Sequence, residues 1–432
     1  MTARHPMHTT AQHSAEESQP VADDSRTRAT PLWVWIIASL LLLYVLSRVF
    51  SVNIAYFLAE QKNPAALEWH AGMPATLYQQ AVKQYETSPA EARKMAIDAL
   101  RNNPTDGRIF LLLAIIAEQS ENNTLASAIV ESTEFLHPRR AEHQFQVGNF
   151  WARQGNITKA MEHWSVALQM RPELGKTLYP LLLTIAESST YRTLFTQMQA
   201  PMPKWTEAFF QYAIKNAISL DTIRALYLPY ERQQQIPPDA VRKAYLNRLM
   251  AEGLWTDAYF VWLNTLEGPQ LNSLGNINNG GFEQEYAQDG FAWQFTQSRN
   301  VMVNPQPTYG MTGAKALRVE FLGTAPAVTR LAMQNLLLDA GAYQFTGKYR
   351  IDGLATVTGF KWRLSCSNGA LLAETPYLVG SMPWSTFRLM LEVPPEGCSA
   401  QRLELVMTPA DARIAGLSGT LWFDDLALAV IR

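Results

Sequence analysis

The stretch that decides the fold of the chain's first half is Ala141–Glu173, AEHQFQVGNFWARQGNITKAMEHWSVALQMRPE. Small residues at Gly148, Ala160 and Ala167 let two helices approach closely, and Trp151 and Trp164 fill the space between neighbouring hairpins. Pro172 closes the unit, because proline cannot donate the hydrogen bond that a further helical turn needs. The same closing proline stands at Pro104 and Pro138, at intervals of 34 residues. Aligning on these prolines brings Ala92, Ala126 and Ala160 into register, and seven residues later Ala99, Thr133 and Ala167. A fixed period of this length marks an array of helical hairpins. The earlier copies, Met73–Pro104 and Gly107–Pro138, are weaker in their first helix but keep the second helix and the proline.

Residue by residue the Ala141–Glu173 copy resembles the tetratricopeptide repeat. Val147, Gly148 and Trp151 match its first helix, Gly155 its turn, Ala160, Trp164 and Ala167 its second helix, and Pro172 its exit. The resemblance implies a solenoid whose concave groove binds a peptide or partner protein. Beyond Pro172 the period blurs, yet Leu178–Glu187, Trp205–Ser219, Thr222–Tyr230 and Asp239–Met250 still read as helices, divided by Pro201, Pro203, Pro237 and Pro238. The hairpin YLNRLMAEGLWTDAYFVWLNTL recovers Gly253, Ala258 and Trp262 at the repeat's spacing, which extends the helical domain over 59–267. His143 and His163 fall within one repeat without further metal ligands nearby, and are expected at the surface.

Toward the amino terminus, Leu32–Leu46 (LWVWIIASLLLLYVL) is free of charge. Between Arg28 and Arg48 the chain is long enough to cross a hydrocarbon layer of about 30 Å as a helix. Trp33, Trp35 and Tyr44 stand near its ends, where amphipathic rings favour the headgroups. The apolar run continues past Arg48 as VFSVNIAYFLA, so 31–58 is expected to be a transmembrane helix with an extension, Arg48 snorkelling. A cleaved signal peptide is the rival; the late start of the run and the lack of a small-x-small cleavage site count against it. Arg26 and Arg28 put the amino terminus in the cytoplasm and the body outside. Residues 1–30, without an aromatic residue, cannot bury enough apolar surface to offset ordering and read as a disordered tail. His5, His8 and His13 within it are either a metal-binding cluster or, as preferred here, part of that polar tail.

Toward the carboxy terminus, GPQLNSLGNINNGG (Gly268–Gly281) ends the helical periodicity; 268–275 reads as a linker and 276–432 as a second domain. Alternating strands follow: ALRVEFLG, GAYQFTGKYRI, GFKWRLSC, STFRLMLEV, QRLELVM and GTLWFDDLALAV. Turn residues between them point to an all-β sandwich or jelly roll. The chain's two cysteines, Cys366 and Cys398, lie here. A lone pair in an exported domain suggests one disulfide, stabilising by about 3–4 kcal/mol in the chain-entropy model; two free buried cysteines are the alternative.

The opening NNGGFE (Asn278–Glu283) with Trp293 shortly after, the central Gly-x-Tyr at Gly341–Tyr343, Trp384 ahead of a strand and the closing WFDDLAL (Trp422–Leu428) look like the galactose-binding-like jelly roll common among carbohydrate-binding modules. That resemblance implies a possible glycan ligand and a structural calcium held by Glu283 and Asp424, with carbonyls near Gly281 and Gly313 completing the shell. Strand parity places Asp424 inward with Leu426 and Leu428, where it needs a cation or backbone amides. The same parity sets Lys348 and Arg350 opposite Tyr343 and Phe345, and Lys361 and Arg363 opposite Phe360 and Trp362. If the two strands are neighbours, four cations share one face, either a grip for an acidic polysaccharide or an ordinary solvated surface. Trp362 and Tyr377 are alternative stacking residues for a sugar, or core.

The net charge of −2 argues against nucleic acid. An apolar content of 47% does not suit a multi-span transporter. The segment 276–432 contains no histidine, and no nucleophile elbow, P-loop, zinc-protease or dinucleotide motif occurs. A glycosidase-type carboxylate pair is not excluded by sequence, but Asp424 and Asp425, adjacent on a strand, face opposite sides. The expectation is a non-enzymatic, single-span protein of a Gram-negative-type inner membrane with a periplasmic body. Its repeats would recruit a protein and its sandwich hold a glycan during surface polysaccharide synthesis or export. The rival is a purely structural scaffold whose sandwich contacts protein.

Overall fold

The computed structural model describes residues 32–133, 136, 139–198, 201–285, 287–296, 298–323, 328–413 and 416–431. The tail histidines, Arg26 and Arg28, and Pro138 lie outside the described residues. The chain divides into two compact units, Met1–His137 and Pro138–Arg432.

In the first unit, helix α1 (Leu32–Glu60) is long and apolar enough to cross a membrane, and its apolar window is wholly uncovered by protein. It is compatible with a membrane anchor or a signal sequence. Its last turns belong to the folded body: Ala55 and Ala59, one turn apart, are buried with Ala66 and Met73 beside α2 (Ala66–Trp69). Two hairpins follow, α3 (Pro74–Gln84) with α4 (Pro89–Asn102), and α5 (Gly107–Gln119) with α6 (Asn123–Thr133). Proline at the first position of α3 and α4 uses a site where no amide donor is needed. The Asp106 carboxylate caps α5 by accepting from the Arg108 amide.

The second unit opens with a third hairpin, α7 (Ala141–Arg153) with α8 (Ile157–Met170). Gly155 takes a positive φ in its turn, and Asn156 caps α8. A Cβ on Gly148 would overlap the Trp164 ring, so only glycine allows this approach. The 34-residue register is visible as burial: Ala92, Ala126 and Ala160 are fully buried, as are Ala99, Thr133 and Ala167. His143 is buried rather than at the surface, and His163 is hydrogen-bonded to Gln144. Next come α9 (Gly175–Glu187), α10 (Thr193–Thr196), α11 (Trp205–Asn216), α12 (Leu220–Arg232), α13 (Asp239–Ala251), α14 (Trp255–Leu263) and the short α15 (Gly268–Leu271).

The remainder is a two-sheet antiparallel sandwich. Its described strands are β1 (Gln294–Phe295), β2 (Val301–Gln306), β3 (Ala316–Leu322), β4 (Arg330–Leu336), β5 (Gly341–Ala355), β6 (Phe360–Cys366), β7 (Leu371–Glu374), β8 (Gly380–Val393), β9 (Gln401–Met407) and β10 (Ser418–Val430). One sheet runs β1-β4-β9-β6-β7, the other β2-β3-β10-β5-β8. Between them lies one core in which Trp362, Phe345, Phe360 and Phe423 are fully buried. Cys366 and Cys398 form the disulfide, with Cα atoms 5.1 Å apart. The opening segment is laced to the last strand, with Gly280 accepting from the Leu426 amide and Asn276 donating to the Leu428 carbonyl.

The helices also grip the sandwich within this unit. Trp262 of α14 packs on Phe291 and against Gly290, where a Cβ would meet the indole at 2.6 Å. Arg242 of α13 donates to Asp289 at 2.8 Å, both side chains being buried.

Candidate functional site

The outer face of the second sheet carries a row of register neighbours, Arg318 on β3, Trp422 on β10 and Arg350 on β5. The Trp422 ring lies between the two guanidinium groups, 5.8 Å from that of Arg318 and 5.0 Å from that of Arg350. Arg350 is only 4% exposed. Two of its nitrogens donate to Asp352 Oδ2 at 2.9 and 3.1 Å, and a third reaches the Tyr309 carbonyl. Its guanidinium carbon sits 4.0 Å beneath the centre of the Tyr309 ring and 5.4 Å from that of Trp384.

Tyr309 reaches this position through its loop. Gly310 has φ +71°, and a Cβ there would meet Trp384, so the backbone lies flat on that indole. The Trp384 Nε1 donates to the Tyr309 carbonyl at 2.7 Å. The loop is thus pinned at its backbone while the Tyr309 ring remains 71% exposed. Such a ring, backed by a delocalised cation and rimmed by the half-exposed Asp352, offers a flat apolar face with polar neighbours. Chemically it can stack on a planar or ring-shaped ligand whose edges hydrogen-bond.

The four cations expected on one surface are not brought together. Strands β5 and β6 belong to different sheets, so Lys348 and Arg350 lie on one outer face of the sandwich and Lys361 and Arg363 on the other. None of the four is free of an anionic partner. Lys348 bridges Asp425 and Thr312, both at 2.7 Å, and the Asp425 carboxylate raises its pKa. Lys361 and Arg363 share Glu374. Burial would raise the Glu374 pKa, but these two cations hold it below the usual carboxylate range. Trp362 is a core ring, fully buried and out of reach of any sugar. Tyr377 is exposed, with the Lys361 ammonium 4.7 Å from its ring centre.

Asp424 also departs from expectation. Asp425 adopts φ +52° and the β10–β5 register shifts between Asp424 and Ala427. This bulge reverses the strand's parity. Asp424 therefore shares a side with Trp422, while Leu421 and Phe423 point into the core beforehand and Leu426 and Leu428 afterward. It is nevertheless fully buried, because the 308–313 loop covers it: Thr312 N donates at 2.7 Å to one oxygen, and Asp425 N at 2.8 Å to the other. Burial raises its pKa, the two amides opposing. Glu283 likewise accepts from the amides of Ala314 and Lys315. A Cβ on Gly281 would lie 3.8 Å from Asp424 Oδ1 and 3.9 Å from Glu283 Cγ, so the two carboxylates flank one glycine. A calcium ion needs hard oxygens, but both Asp424 oxygens and Glu283 Oε1 already accept from backbone amides. Among the described residues no group of three or more such side chains is placed to hold a metal, so carbonyls and water would have to supply the rest of the shell.

Tyr309 carries no sequence signal of its own, lying in the turn-rich NPQPTYGMTG (Asn304–Gly313). The one hint is an aromatic residue followed directly by glycine.

No family model matches the chain, and no curated protein matches it. Solved structures resemble it over about a third of its length. The carbohydrate-binding module CBM4 is 16% identical over 36% of this chain and 99% of its own, with a TM-score of 0.27. A Family 16 Carbohydrate Binding Module-2 is 15% identical over 36% and 99%, with a TM-score of 0.26. TmCBM61 in complex with β-1,4-galactotriose is 14% identical over 37% and 98%, with a TM-score of 0.23.

Proposed function

We propose that this chain is a non-catalytic, single-span envelope protein that holds a glycan on its sandwich and a partner protein on its helical hairpins. The observation that carries the glycan reading is the Tyr309 ring, exposed to solvent yet fixed from below by Arg350 and from its backbone by Trp384. A preorganised aromatic surface loses little conformational freedom when a ligand stacks on it. Asp352, which holds Arg350 beneath the ring, supplies a hydrogen-bonding group at its margin. The partner reading is supported by the 34-residue spacing with equal burial at equivalent positions, the pattern of a tetratricopeptide solenoid. The apolar α1 supports an inner-membrane anchor with the body in the periplasm, and the pairing of domains supports a role in polysaccharide synthesis or export. Calcium at Glu283 and Asp424 would fasten the opening of the sandwich to β10.

One observation favours the rival, a scaffold that binds no sugar: Lys348, Lys361 and Arg363 are already neutralised within the chain. A glycan array probed with the full chain in detergent separates the two. Binding that is lost in a folded Tyr309→Ala variant supports the glycan reading. No binding to any glycan, or binding unchanged by Tyr309→Ala, overturns it.

A further inference from the structure

Between α12, the 233–238 loop and α14 the second unit encloses a cleft of about 580 Å³. Its volume lies in the range of specific ligand sites. The floor is aromatic: Tyr227 and Tyr230 are both buried, with ring centres 6.0 Å apart. The rim holds Glu231, Asn264, Thr265 and the apolar side chain of Ile236, which is 64% exposed.

The charge of this cleft has one sign. No lysine or arginine lines it, and Glu231 has no ion-pair partner among the described residues. Burial raises the Glu231 pKa, with no neighbouring cation opposing. Glu231 at the rim, with Asn264 and Thr265 beside it, offers a cation an anionic partner over an aromatic floor.

The cleft also has a direction. A second cleft of about 270 Å³ shares Ile236 and Thr265 with it and runs on to the sandwich loop at Asp289. Together the two are lined by Glu231, Asp239, Glu267 and Asp289 against the single guanidinium of Arg242. That guanidinium is already occupied by Asp289 and Asp239. An elongated track with excess negative charge and an apolar step in its middle matches an extended chain bearing basic side chains. A compact amine would fill only one end.

We infer that this track is the docking site for an extended, basic segment of a partner protein, one arginine or lysine side chain entering the tyrosine-floored cleft beside Glu231. The inference deepens the partner-binding half of the proposed function and rests on that half for the existence of a partner. It is independent of the glycan face.

The test uses the full chain in detergent micelles and two fluorescein-labelled peptides, Gly-Gly-Arg-Gly-Arg-Gly-Gly and its citrulline counterpart, read by anisotropy. The arginine peptide should bind, several-fold more weakly at about 0.5 M than at about 0.05 M salt, and the citrulline peptide should not. Glu231→Gln should weaken binding about tenfold. Asn264→Lys, at an exposed rim position, plants a cation in the cleft and should abolish binding, with the melting temperature of both variants unchanged. Equal binding of the two peptides, wild-type affinity in both folded variants, or no binding of the arginine peptide overturns the inference. The glycan array reads a different surface, so such a failure leaves the carbohydrate reading standing.

Discussion

Replacing Arg350 by alanine tests the architecture of the outer face most directly. An exposed strand cation can be removed at almost no expense to stability, and strand parity alone assigns Arg350 to that class. The structure makes it the post on which a loop is mounted. Its guanidinium lies 4.0, 5.0 and 5.4 Å from three aromatic rings, and largely desolvated cation–π contacts contribute about 0.5–2 kcal/mol each. Allowing for overlap among three rings on one cation, about 1–3 kcal/mol is lost with them. The ion pair adds little. Asp352 is 45% exposed and rehydrates once its partner is gone, so the heavy penalty of an orphaned buried charge does not apply. Its share is about 0–1 kcal/mol. Packing of the aliphatic stem on Trp422 brings the total to about 2–4 kcal/mol. Urea unfolding of the full chain in detergent, followed by tryptophan fluorescence, should show that loss for Arg350→Ala. Arg350→Lys should recover only part of it, because an ammonium cannot fork to Asp352 and stack at once. A midpoint for Arg350→Ala that differs from wild type by less than about 0.5 kcal/mol would refute the reasoning, and with it the claim that Tyr309 is held rigid from below.

Two further outcomes follow from the sandwich. Asp411 is fully buried and accepts from Thr356 Oγ1, Val357 N, Thr358 N and Thr408 Oγ1 at 2.7–3.2 Å. Burial would raise its pKa, but these four donors lower it below the ordinary 3.8. Its stabilisation is therefore fully present above that value and lost as the pH falls through the folded-state value. Asp411→Asn should cost about 1–3 kcal/mol near neutrality and flatten the acid limb of the stability curve; an unchanged limb in urea titrations between about pH 2 and about pH 6 would count against it. Calcium at Glu283 and Asp424 should raise the melting temperature relative to EDTA, with about 2.7 kcal/mol of stabilisation at a hundredfold excess over its dissociation constant. Glu283→Gln should abolish the shift, and identical melting in calcium and EDTA would reject the site.

How much of this was legible in the sequence depends on what each residue faces. The hairpin spacing was legible because helix contacts select small residues at fixed intervals, and the burial of Ala92, Ala126 and Ala160 repeats that selection. Strand β4 was not, because its Gln334 and Asn335 read as loop residues. Both are buried and bonded to the segment beneath the helices, Gln334 to Asn278 and Asn335 to the Gly290 carbonyl. Strand β2 was hidden by Asn304 and Pro305; it lies at a sheet edge, where the missing amide of proline is tolerated. The positive φ of Asp425 is equally silent, since aspartate takes that conformation more readily than most residues but does not announce it.

The misplaced cationic face has a deeper origin than any one strand. Alternation separates core from solvent, and it did so for Lys361 and Arg363 against Phe360, Trp362 and Leu364. A sandwich, however, has two solvent faces, and period two assigns a residue to neither. Which face it joins depends on where the chain crosses between sheets. Here β5 lies in one sheet, β6 and β7 in the other, β8 back in the first, β9 in the second and β10 in the first. Consecutive strands therefore tend to put their outward residues on opposite sides of the domain, and cations close in sequence do not sum. The grouping that does form, Arg318 with Trp422 and Arg350, draws on strands far apart in the chain, β3, β5 and β10. It is completed by Trp384 of β8 and by Tyr309, which lies in a loop and belongs to no strand pattern. A binding surface on this fold is written across the chain, so its partners become visible only once the sheet order is known.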